Sequence, residues 1–144
     1  MLSQERANQL MDMAKCCADM SPIQFPIPGD AIQMELRSLD DIESFLVDVN
    51  RKGRIRLSKC TYQERYEVVE ILLRLDVGGP THVNPDGEEV PCPHLHVYRE
   101  GFATKWARPA PPDFSSTSDL TITLEHFLKY CKVHEIPLIQ RGVQ

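Results

Sequence analysis

Apolar residues recur along this chain first with the period of a helix, then with that of strands, and at the end with that of a helix again. Ala7, Leu10, Met11, Ala14 and Cys17 return every three or four positions behind Ser3, a residue that caps helices, and predict a helix over residues 4–19. Prolines at 22, 26 and 28 end it and carry the chain across in extended form. Ile32, Met34 and Leu36 then alternate with Gln33, Glu35 and Arg37 as in a short strand. Residues 45–50 and 54–59 alternate on either side of Asn50-Arg51-Lys52-Gly53, the pattern of a β-hairpin, with a helix over 40–49 as the competing reading. The polar stretch 61–65 reads as a turn or as a continuation of the strand before it. Residues 66–76 form the most apolar strand, with Val69, Ile71, Leu73 and Leu75 on one face, and Gly78-Gly79-Pro80 ends it. Residues 93–100 alternate again, with His94, His96 and Tyr98 on one face and Leu95 and Val97 on the other, and antiparallel pairing with 66–76 follows from their adjacency in sequence. Residues 102–107 carry Trp106 into a short strand or turn. A helix capped by Thr121 or Thr123 then buries Leu124, Phe127, Leu128 and Cys131 before Pro137 forbids its extension. The expectation is an α+β fold in one domain over 1–144. An antiparallel sheet of four to five strands (30–107) is covered on one face by an N-terminal helix (1–20) and a C-terminal helix (119–134).

Composition narrows the classes of function. A chain of 144 residues, 42% apolar and 26% charged, has the makeup of a globular protein with a core of its own. No apolar run reaches the roughly 18 residues of a membrane span, and the N-terminus lacks the pattern of a signal peptide, so the expected setting is cytoplasmic. Five cysteines without a Cys-x-x-Cys spacing argue against a disulfide framework and a thiolate zinc knuckle. The net charge of −5 counts against a protein that coats nucleic acid, yet residues 51–74 hold seven basic side chains against three acidic ones. That segment is either a local phosphate-attracting face or a solvated sheet surface.

Candidate chemistry gathers around the histidines. Thr81-His82-Val83-Asn84-Pro85-Asp86-Gly87 is turn chemistry that brings His82 close to the strand bearing His94 and His96. Neighbouring strands would place Arg54, Arg56 and Arg74 beside His94, His96 and Tyr98. The first reading is a metal-independent ribonuclease-like toxin with RNA as substrate and no cofactor. In it His94 and His96 are the acid–base pair, His82 assists from the loop and Tyr98 orients them, while Arg54, Arg56, Arg74 or Arg99 clamps phosphate. The second reading is a non-catalytic inhibitor that binds a host defence or antitoxin protein through the same surface. The third is a divalent transition metal held by His94, His96 and Glu100, whose His-x-His-x-x-x-Glu spacing resembles the first cupin motif, although the second cupin motif is missing downstream.

The block Leu73-Arg74-Leu75-Asp76, Gly79, His82, Asn84-Pro85-Asp86-Gly87, residues 93–101 and Trp106-Ala107 resembles a family of small bacterial and phage-borne proteins, over about residues 45–135. The resemblance implies a setting in mobile elements, where toxins, antitoxins and anti-defence proteins such as anti-CRISPRs are found, and it assigns no catalytic residue.

Overall fold

The computed structural model describes residues 1–53, 58–114 and 116–141. In chain order its elements are α1 (Gln4–Asp12), β1 (Lys15–Cys17), β2 (Ile23–Gln24), β3 (Ala31–Ser38), β4 (Ser44–Asn50), β5 (Cys60–Tyr66), β6 (Glu70–Val77), β7 (His82–Val83), β8 (Glu89–Val90), β9 (His94–Val97), β10 (Ala107–Pro109), α2 (Leu120–Tyr130) and β11 (Ile139–Gln140). Seven strands form one antiparallel sheet in the order β1-β3-β4-β5-β6-β9-β10, and β2 pairs with β11 in parallel apart from it. No helix among the described residues is long and apolar enough to cross a membrane.

The alternation of side chains divides the sheet into two unlike faces. One face presents Leu36, Phe45, Val47, Val49, Tyr62, Leu73, Leu75 and Leu95 to Ala7 and Leu10 of α1 and to Leu124, Phe127 and Leu128 of α2, all in one core. The Tyr62 ring sits 5.9 Å from that of Phe127, and its hydroxyl donates to Leu120 O. The register puts Asp48 beside Gln63, Gln63 beside Arg74, Arg74 beside His96 and Asp76 beside His94, so the opposite face is polar.

The α+β class and the antiparallel sheet agree with expectation; the strand count and the helix ends do not. α1 stops at Asp12, and the residues expected to continue it cross to the sheet edge, where Lys15 pairs with Ser38 and Cys17 with Leu36. β4 pairs with β3 on one edge and with β5 on the other, the latter at the stretch expected to be a turn or a continuation, and the helix competing for 40–49 gives way to a strand. The second arm of the expected hairpin lies partly outside the described residues. β6 begins at Glu70 because residues 67–69 turn, with Glu67 at φ 53° and Val69 left 78% exposed, not in the core. The cap of α2 is Asp119, not a threonine: its carboxylate accepts from the backbone N–H of Thr121 and Ile122.

Candidate functional site

Antiparallel pairing of β6 with β9 sets Asp76 opposite His94 and Arg74 opposite His96 on the polar face. Two coverings close over them. The β7–β8 hairpin turns at Asn84–Gly87, where the Gly87 N–H donates to Asn84 O and φ is 91° at Gly87, a conformation glycine adopts freely. The second covering is the 99–106 loop. Asn84 joins the two by donating through Nδ2 to Ala107 O (2.9 Å) and accepting at Oδ1 from Ala107 N (2.8 Å). Beneath these segments His94 is 2% exposed and His96 1% exposed.

The ring nitrogens are committed in a consistent way. His94 Nδ1 is 3.1 Å from Val90 O and His96 Nδ1 is 2.7 Å from Thr104 O. Carbonyl oxygens only accept, so both Nδ1 atoms carry the proton. Both Nε2 atoms then converge on one oxygen, Asp76 Oδ2, at 3.0 Å from His94 and 3.2 Å from His96. Asp76 Oδ1 accepts from Arg74 Nε at 3.0 Å, and Arg74 Nη2 reaches both Asp76 Oδ2 (3.2 Å) and His96 Nε2 (3.1 Å). Burial works to raise the Asp76 pKa, but hydrogen bonds from His96 and Arg74, with their charges, outweigh it and hold the carboxyl well below the usual range. His82 completes the group: its ring lies 4.6 Å from that of His96 and 5.8 Å from that of His94, and its Nε2 is 2.8 Å from Lys105 O. Cys92 Sγ lies 3.6 Å from His94 Nδ1, but burial raises its pKa, the reverse of what an activated thiolate needs.

Several expected site residues lie elsewhere. β9 ends at Val97, and Tyr98 breaks the alternation: its N–H donates to Leu72 O, its ring joins the core and its hydroxyl donates to Leu2 O. Glu100, expected as the third metal ligand, instead accepts at Oε1 from the N–H of Gln4. Arg99 stacks on Trp106, with 4.1 Å between guanidinium carbon and ring centre. Arg54 and Arg56 lie outside the described residues. His94 and His96 share one strand face as expected, but the two coverings wall both rings in. The residue that sequence reasoning missed is Asp76. Its position was legible as the polar end of the apolar strand, but its place opposite His94 depends on a register that alternation alone does not fix.

Among the described residues, Asp76, His94 and His96 form the one group of three His, Cys, Asp or Glu side chains whose ligand atoms all lie within 4.8 Å of one another. Fold and site together define an α+β protein dominated by an antiparallel sheet, with a covered His-His-Asp cluster on its polar face. The chain belongs to DUF6978, a family of unknown function whose model matches residues 2–133, a span that includes every residue of the cluster. No curated protein and no solved structure matches the chain.

Proposed function

We propose that this is a metal-binding protein whose Asp76, His94 and His96 hold a divalent transition ion, zinc first among them. One observation carries the reading: with both Nδ1 atoms donating to carbonyls, the two Nε2 atoms and a carboxylate oxygen converge on a common place. Deprotonated, these three acceptors repel unless a cation stands among them; protons on the imidazoles fill that role in the hydrogen bonds to Asp76, and a metal ion shared by all three would fill it when bound. Arg74 Nη2 serves His96, while His94 Nε2 has only the carboxylate before it. Imidazoles anchored through Nδ1 on carbonyl oxygens have the outer-shell support that metal ligands use. Two histidines and one carboxylate suit zinc or a non-haem iron, and three protein ligands leave a position for water or substrate.

We prefer it to the acid–base ribonuclease reading because both rings are buried beneath the two coverings, away from a substrate at the surface. The test begins with protein stripped by chelator and titrated with zinc against a chromophoric competitor, with metal content measured after dialysis. One zinc per chain is expected. His94→Ala and His96→Ala should each weaken binding by at least about a hundredfold, beyond what loss of an outer-shell partner does. Affinity should also fall as the solution is acidified, since the ligands bind deprotonated. Zinc that fails to bind, or binds equally well to folded His96→Ala, overturns the assignment and leaves the cluster a hydrogen-bonded network.

A further inference from the structure

On the opposite, core-side face of the sheet a cavity of about 490 Å³ lies between α1, α2 and the strands β6, β9 and β10. That volume is within the range of about 300–1,000 Å³ typical of small-molecule sites. Its apolar lining comes from Met11, Leu73 and Val97, and its cationic lining from Arg108, Lys129 and Lys132. Arg108 is held in place by donating through Nη2 to the Tyr130 hydroxyl at 3.0 Å, and Tyr130 borders the same cavity. His126 borders it as well, and its Nδ1 is buried without a hydrogen-bond partner. Asp12 and Asp113 also line the space, and Lys129 is paired with Glu125 at 3.3 Å, which leaves Arg108 and Lys132 as the lining cations outside an ion pair among the described residues. A ligand with a single negative charge would meet both Arg108, fixed by Tyr130, and Lys132.

We infer that this cavity binds a small organic monoanion with an apolar body, its head facing Arg108, Lys129 and Lys132 and its body resting on Met11, Leu73 and Val97. The inference is independent of the metal centre, which lies on the other side of the sheet, and its test is run with chelator present.

Amide chemical shifts are followed in two-dimensional NMR while benzoate, or the neutral isostere benzyl alcohol, is added to the full chain. Benzoate is expected to move the amides of residues 8–12 and 126–132 saturably, with affinity at least about tenfold above that of benzyl alcohol. The double variant Lys129→Ala with Lys132→Ala removes two exposed side chains and should keep its spectrum elsewhere, yet lose about tenfold or more in benzoate affinity. Shifts that never saturate, benzyl alcohol binding as tightly as benzoate, or unchanged affinity in the double variant would each overturn the inference.

Discussion

Arg74 stands where two demands meet. Its Nη2 lies near the point on which Asp76 Oδ2 and His96 Nε2 converge, so without metal it is the cation of the site, and a metal ion must move it aside. Removing it should therefore have effects of opposite sign. In Arg74→Ala the zinc affinity should rise by about tenfold, because a competing positive charge is gone. The stability of the metal-free protein should drop by about 1–3 kcal/mol, since a mostly buried carboxylate loses its charged donors. Chelator competition reads the first effect and urea unfolding with chelator present reads the second; weaker zinc binding in the variant would make Arg74 a support of the bound ion rather than its rival. Sequence alone reached part of this group. His-x-His on a strand puts both rings on one face whatever the register, so their pairing was legible. The roles of Asp76 and Arg74 depend on which residues of β6 and β9 lie opposite one another, and Tyr98 was misplaced because alternation holds only as far as the strand does.

The β7–β8 hairpin owes its position over the histidines largely to Asn84, which is 4% exposed and satisfies both backbone groups of Ala107 at the start of β10. Asn84→Ala leaves a backbone donor and acceptor unpaired, and a loss of about 2 kcal/mol is expected. Amide exchange at Ala107 should speed up, and zinc affinity should fall, because the segment that Asn84 anchors also supplies Thr104 O to His96. Wild-type protection of Ala107 in the variant would show that the hairpin is held by other contacts. The elements easiest to read in sequence were those whose inward positions are all apolar, such as β4 with Phe45, Val47 and Val49, and α2 with Leu124, Phe127 and Leu128. β5 was obscured because its inward set is Cys60, Tyr62 and Glu64, with a carboxylate where alternation expects an apolar residue. β1 was obscured because Cys17 fits the helical period of α1 as well as the strand it joins, and the sheet edge decides between them.

Glu64 ties distant parts of the molecule together, and it gives the stability of the whole a predictable dependence on pH. Its carboxylate and the ammonium of Lys15 are fully buried, with Nζ 3.3 Å from Oε2 and 4.7 Å from the Phe45 ring centre. The ammonium directs its hydrogen bonds to the carbonyls of Met11, Met13 and Cys131, joining the end of α1 and the end of α2 to β1, and neither Glu64 oxygen receives one. Burial therefore prevails over the attraction of Lys15 and pushes the Glu64 pKa up to about 7. A carboxyl whose folded value is raised stabilises the fold below its ordinary value of 4.5, and that contribution is lost as pH rises toward about 7. Asp48 and Asp76 act with the opposite sign. Arg65 and Gln63 hold the first low, and His96 and Arg74 the second, in each case against burial, so their contribution is present above the ordinary aspartate range and lost as acid is added. The two trends leave maximal stability near pH 4.5 in metal-free protein, with a decline on the order of 3 kcal/mol from there to about pH 7.5 that belongs to Glu64. Glu64→Gln removes the titrating proton at nearly constant volume, so urea unfolding of the variant in chelator should show that decline flattened while the acid limb, set by Asp48 and Asp76, is kept. An equal slope between about pH 5 and 7.5 in both proteins would mean that Glu64 stays ionised in the fold, with Lys15 outweighing the cost of its burial.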